Sequence, residues 1–243
     1  MISEQAHFSS VDGKTVPVSI ARPDGPGPFP TIMLGYELFG MTNVRGGASH
    51  MLELAARFAD EGFVAAIPDY YAALGKQPVM KDGAISGGPS EDETLGVLQE
   101  TLVWLGQQPY VDRRRVGAVG WCGGGRQVLL FAVHCPDIRA VASFYGRLTN
   151  RPGVASPSPI DAAGKLTCPV FGGYGEDDKY IPVDTARQFE QALERHAVPH
   201  EIHIYPGAGH AFMNNQLDSY VPAAADDAWK KLVGFFSRNL AAA

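Results

Sequence analysis

The chain has 243 residues, 45% of them apolar, which is enough to bury one substantial core. Its formal net charge is −6, and the one basic cluster, Arg113-Arg114-Arg115, is too short to form a nucleic-acid surface. No apolar run approaches the length of a membrane span, and Met1-Ile2-Ser3-Glu4-Gln5 lacks the basic and apolar parts of a signal peptide.

In chain order, strand-like apolar runs alternate with amphipathic helical stretches. Thr15–Ala21 and Pro30–Tyr36 read as strands joined through the turn Asp24-Gly25-Pro26-Gly27-Pro28. A helix over Ala48–Glu61 leads into a strand over Phe63–Pro68. The stretch Gly75–Glu93 carries Gly75, Gly83, Gly87, Gly88, Pro78 and Pro89, and reads as an excursion beside the sheet, either lining a pocket or simply solvated. Next come a helix over Glu91–Gln107, a strand over Arg115–Gly120, a helix over Gly124–His134 and strands over Ala140–Tyr145 and Pro169–Tyr174. A helix over Val183–Ala197, a strand over His200–Tyr205 and a helix over Ala223–Asn239 complete the chain. Several strands are apolar at successive positions, as parallel strands covered on both faces tend to be. The alternation predicts an α/β fold, with a mostly parallel central sheet, helices on both faces, no large cap and one domain over residues 1–243. In the last helix Ala225, Ala228, Trp229, Leu232, Phe235 and Phe236 share a face and read as core packing.

Three cysteines, Cys122, Cys135 and Cys168, are widely spaced and odd in number, which argues against a zinc site or a disulfide framework and fits a reducing cytoplasm. Gly13-Lys14-Thr15 resembles the end of a phosphate loop, but Phe8 stands where its first glycine is required. Cys122 has the most informative setting. The strand ends in Gly120-Trp121-Cys122-Gly123-Gly124 and a helix follows, the layout of a nucleophile elbow with cysteine in place of serine. So sharp a turn strains its central residue, and a Cβ on either flanking glycine would collide with neighbouring backbone. It also leaves the sulfur at a helix N-terminus, where the dipole favours thiolate. Alone, the motif fits a buried structural cysteine about as well.

A cysteine nucleophile needs a base, and the base needs an orienting acid. Glu176-Asp177-Asp178 follows the strand through Gly175, and His210 follows Ile202–Tyr205 through Gly207 and Gly209. Both fall at carboxyl ends of strands, where open α/β sheets hold their chemistry. The order nucleophile, acid, histidine matches the α/β-hydrolase order. Asp177 and Asp178 both fit as the acid, and both fit as helix caps before Val183. His7, His50, His134, His196, His200 and His203 read as surface or packed residues.

On Tyr36-Glu37-Leu38-Phe39-Gly40, Pro68-Asp69-Tyr70-Tyr71, Gly120-Trp121-Cys122-Gly123-Gly124, Gly175-Glu176-Asp177-Asp178 with Pro182, and Gly209-His210-Ala211-Phe212, the chain resembles the dienelactone hydrolase (carboxymethylenebutenolidase) family of the α/β-hydrolase fold. The resemblance covers nearly the whole chain. It implies a Cys122–His210–Asp178 triad, an oxyanion hole from the N–H groups of Gly123 and Leu38, and Glu37 beside the resting cysteine. There Glu37 would accept a hydrogen bond from the thiol and guard it against oxidation. The implied activity is hydrolysis of carboxylic esters or enol-lactones through an acyl thioester, without metal or cofactor. The implied partner is a small-molecule ester or lactone, rather than nucleic acid or membrane, bound by a cytoplasmic monomer or small homo-oligomer. A thioesterase or acyltransferase on the same triad, or a non-hydrolytic binding protein, are the alternatives. Tyr36, Phe39, Tyr71, Trp121, Tyr145 and Phe212 lie near strand ends as candidates for an aromatic pocket. The chain departs from the family where an arginine is expected four residues after the histidine: it has Asn214. Gly75–Glu93 holds no arginine, so a substrate carboxylate lacks its bidentate partners unless Arg126, Arg147 or Lys179 substitutes.

Overall fold

The computed structural model describes residues 1–42, 49–81, 84–150 and 156–242. In chain order the elements are β1 (Ile2–Ser9), β2 (Thr15–Arg22), β3 (Phe29–Gly35), α1 (His50–Asp60), β4 (Val64–Pro68), α2 (Tyr70–Leu74), β5 (Val79–Lys81), β6 (Ala84–Ser86) and α3 (Glu91–Leu105). They continue with β7 (Val111–Trp121), α4 (Gly123–His134), β8 (Ile138–Phe144), β9 (Val170–Gly175), α5 (Val183–Arg195), β10 (His200–Tyr205) and α6 (Pro222–Asn239). Eight strands form one sheet in the order β1-β2-β4-β3-β7-β8-β9-β10. From β4 to β10 every neighbouring pair is parallel, and β1 and β2 complete the sheet as antiparallel strands. This is the expected α/β-hydrolase arrangement, and no cap domain occurs among the described residues.

Burial explains why the inner strands read so clearly. Every residue of β4 and β9 is buried, so both faces of those strands are covered. Helices α1 and α6 join through Phe58, whose ring lies 4.6 Å from Trp229 and 6.2 Å from Phe236. Helix α4 packs on β7 and β8, and α3 rests on α4. No helix of the described residues is long and apolar enough to cross a membrane.

Three features differ from the sequence expectation. β1 is an additional edge strand. Its inward row is Ile2, Glu4, Ala6 and Phe8, and the glutamate in that row masks the alternation; Glu4 is placed there by Arg22 at 3.6 Å and the Tyr110 hydroxyl at 3.2 Å. α2 is a single short turn, begun by Asp69, which accepts from Ala72 N–H, and ended at Gly75 with φ of 61°. The Gly75–Glu93 excursion contains the β5–β6 hairpin and closes on a capping box between Ser90 and Glu93. Asp82 and Gly83 of that excursion, and Ala48 at the expected start of α1, lie outside the described residues. Because β3, β7, β9 and β10 all run the same way, the loops after them emerge on one edge of the sheet. Those four loops carry the candidate chemistry.

Candidate active site

Strand β7 turns into α4 at Cys122, whose φ is 53° and ψ −116°. A side chain in that left-handed region is strained, and it persists only where the surroundings over-determine it. The surroundings here are backbone. A Cβ on Gly120 would lie 2.7 Å from Gly125 N and closer still to Gly124, and one on Gly124 would lie 2.6 Å from Tyr36 O and closer still to Gly35. The elbow is pinned from both sides: Cys122 N–H donates to Phe144 O and Gly124 N–H to Tyr36 O, each at 3.0 Å. The sulfur is partly exposed, whereas Cys135 and Cys168 are buried. Burial pushes both of those thiols up, Cys168 to about 12, which leaves them as inert packing groups. The N–H groups of Gly123 and Leu38 donate to no described residue.

His210 Nε2 lies 3.2 Å from Cys122 Sγ, and His210 Nδ1 lies 2.8 Å from Asp178 Oδ2. Asp178 is buried, and its Oδ1 accepts from Tyr180 N–H at 2.8 Å and Ile181 N–H at 2.9 Å. Asp177 is exposed. The two loops are stitched together by Glu176 N–H to Tyr205 O and Asp177 N–H to Ala208 O, each at 3.0 Å. Burial works against the charged imidazole, yet the hydrogen bonds and charges of Asp178 and Cys122 outweigh it and raise His210 to about 10. The ring therefore holds its proton readily at neutral pH. Strain gathers in this region. Among the described residues, three of the four non-glycine positions with positive φ are Cys122, Tyr145 and Ala211, at 53°, 39° and 61°.

Glu37 bonds to groups other than the thiol. Tyr145 OH donates to its Oε1 at 3.1 Å and Asn214 Nδ2 to its Oε2 at 2.6 Å, with His50 Nε2 3.4 Å from the same Oε2. Its carboxylate oxygens are taken by these groups, and the thiol of Cys122 is not among their hydrogen-bond partners. Burial, with the Glu37 charge beside it, pushes the Tyr145 phenol well above its ordinary range and keeps it a donor. Asn214, where the family pattern has arginine, is buried and spends its Oδ1 on Gln216 N–H at 3.0 Å. His50 is the partner that sequence reasoning missed. It is buried at the start of α1, and nothing local signals its approach to Glu37, since the two meet only in the folded chain. A small pocket is lined by Glu37, Phe39, Gly40, Thr42, His50 and Asn214. It lies beside this cluster, and neither Cys122 nor His210 lines it.

The aromatic pocket narrows in the same way. Tyr36, Trp121, Tyr145 and Phe212 are fully buried, so they pack the core rather than wall a cleft. Tyr36 holds Tyr71 N–H at 2.8 Å and bonds Asp69 Oδ1 at 3.2 Å, and Trp121 stacks on Phe144 at 5.8 Å. Phe39 and Tyr71 remain half-buried. Arg126 is buried and committed to Glu91, to the carbonyls of Arg147 and Thr149, and to Asn150 Oδ1, so it is no substitute for the missing arginine. No group of His, Cys, Asp and Glu suited to a metal ion occurs among the described residues.

The model of the Dienelactone hydrolase family matches residues 16–240. A provisionally named carboxymethylenebutenolidase of Escherichia coli (strain K12) is 32% identical, the match covering 96% of this chain and 87% of that one. A provisionally named 2-oxo-3-(5-oxofuran-2-ylidene)propanoate lactonase of Bradyrhizobium sp is 29% identical over 91% of this chain and 88% of that one. Among solved structures, a provisionally named dienelactone hydrolase from Klebsiella pneumoniae subsp. pneumoniae MGH 78578 superposes with a TM-score of 0.83 at 29% identity, covering 98% of both chains. With an elbow cysteine, a histidine and a buried carboxylate in line on this sheet, and with the family's pattern running through nearly all of it, the chain belongs to the dienelactone hydrolase family, hydrolases of ester and lactone bonds.

Proposed function

We propose that this protein hydrolyses carboxylic esters and lactones with Cys122 as nucleophile, His210 as acid and base, and Asp178 as the group that orients and charges the imidazole. The observation that carries the reading is the continuous line from sulfur to imidazole to carboxylate, 3.2 Å and then 2.8 Å. Cys122 sulfur attacks the carbonyl carbon while His210 Nε2 holds the proton taken from the thiol. The carbonyl oxygen gains charge and meets the N–H groups of Gly123 and Leu38, which donate to no described residue. Each such donor typically lowers the barrier by about 3 kcal/mol. Nε2 then gives its proton to the leaving oxygen, a thioester remains, and His210 activates water to hydrolyse it. Asp178 holds Nδ1–H, fixes the tautomer and stabilises the imidazolium.

Sulfur narrows the substrate. A thiolate leaves a tetrahedral adduct more readily than an amide nitrogen does, so amide adducts collapse backwards. Esters and lactones with good leaving groups collapse forwards. Glu37 acts in this reading as a buried charge that fixes Tyr145 and Asn214 beside His210, rather than as a guard on the thiol. A reducing compartment such as the cytoplasm suits the free sulfur. The test is turnover of p-nitrophenyl acetate by Cys122→Ala and His210→Ala. Both variants are expected to lose activity while keeping the parental fold by circular dichroism. A parental rate in either removes that residue from the mechanism.

A further inference from the structure

Tyr180 is unlike the other aromatic residues around the site. It is 69% exposed, yet it is held in place: its N–H donates to Asp178 Oδ1 at 2.8 Å. The carboxylate that grips His210 through one oxygen therefore fixes Tyr180 through the other. The Tyr180 ring centroid lies 5.2 Å from that of His210, with the planes at 67°. Tyr145 stands against the same imidazole at 5.2 Å, but it is fully buried. His210 is thus flanked by one aromatic ring that faces the core and one that faces solvent.

We propose that Tyr180 is a platform for an aromatic leaving group, and that phenolic esters and benzo-fused lactones are the preferred substrate class. The inference rests on the site reading above. If His210 Nε2 protonates the leaving oxygen, the departing group must lie against the imidazole, on the side away from the Gly123 and Leu38 donors. The exposed ring of Tyr180, 5.2 Å from the imidazole, is within reach of a group in that place. The step balances simply. The carbon–sulfur bond forms, the bond between acyl carbon and phenolic oxygen breaks with its electron pair on oxygen, and the proton that came from the thiol neutralises that oxygen. The chemistry of sulfur points the same way, because a phenolate is a far weaker base than an alkoxide and competes better with the thiolate in leaving the adduct.

Phenyl acetate and methyl acetate separate this role from the rest of the mechanism, since both give the same acetyl-enzyme. Tyr180→Ala is expected to lower kcat/KM for phenyl acetate by about two- to tenfold, the range of an aromatic pair. It is expected to leave methyl acetate unchanged, to leave the hydrolysis rate of the acetyl-enzyme unchanged because the phenol has already departed, and to melt as the parent does. Tyr180→Phe should keep the parental preference. Equal losses on both esters, or a loss in Tyr180→Phe as large as in Tyr180→Ala, would overturn the platform. Turnover that survives Cys122→Ala, or a parent inactive on phenyl acetate, would instead overturn the site reading on which it rests.

Discussion

Adding one methyl group at two adjacent glycines should have opposite effects. A Cβ on Gly124 would sit 2.6 Å from Tyr36 O and closer still to Gly35, both in the backbone leading out of β3. Non-bonded carbon contacts are comfortable near about 3.5–4.0 Å, so the overlap exceeds roughly an ångström. Neither side can rotate away, because β3 is an interior strand paired with β4 and β7. Relief requires moving α4 off β3, which breaks the 3.0 Å bond from Gly124 N–H to Tyr36 O and displaces Leu38 two residues on. Overpacking a rigid site costs about 1–3 kcal/mol, and this one belongs at the upper end. For a chain of this size that is a fall in Tm of about 6–12 °C. At Gly123 an added Cβ meets nothing within 4 Å and φ is not positive. Gly123→Ala should therefore gain about 0.4–1 kcal/mol by restricting the unfolded chain. Circular-dichroism melts of the two variants, with initial rates on p-nitrophenyl acetate, check the pair. A Gly124→Ala protein that melts with the parent and turns over at its rate would refute the claim that close backbone approach sets the elbow.

Two further predictions concern the charged groups. His210 is raised from 6.5 to about 10, so its stabilising contribution is fully present below pH 6.5 and is lost as pH rises through about 10. The Tm difference between the parent and His210→Gln should shrink across that window, and kcat/KM should keep its plateau until pH approaches 10. Asp178→Asn should pull the alkaline limb down by about one unit or more. It should also cost about ten-thousandfold in rate through the wrong tautomer; a profile superposable on the parent's would exclude Asp178 as the orienting group. Glu37→Gln sets an amide against the Asn214 donor and should cost about 1–3 kcal/mol. Iodoacetamide should alkylate Cys122 in that variant within about twofold of the parental rate, because the carboxylate does not touch the sulfur; a rate far outside that range would put Glu37 back on the thiol.

Local chemistry made much of the protein legible in its sequence. Seven of the sheet strands are legible as strand-like runs, most clearly β4 and β9, which are covered on both faces and have no polar row. The elbow is equally local: a strained residue between glycines is a property of five consecutive positions, and the Cβ contacts at Gly120 and Gly124 carry it out as expected. β1 stayed hidden because Glu4 interrupts its inward row, and α2 because five residues are too few for a period. What the sequence left open are meetings between distant positions. The sulfur and the imidazole are 88 residues apart, the imidazole and its carboxylate 32, and Glu37 and Asn214 177. The choice between Asp177 and Asp178, which the residues alone do not make, follows from which side chain the β9 loop turns inward. The turning of Glu37 onto Tyr145, Asn214 and His50, and the burial of Tyr36, Trp121 and Phe212 away from any cleft, likewise depend on strand order and register. Periodicity and turn chemistry act within a few residues, so they are written along the chain, whereas the pairing of charges across a sheet exists only once the strands have taken their places.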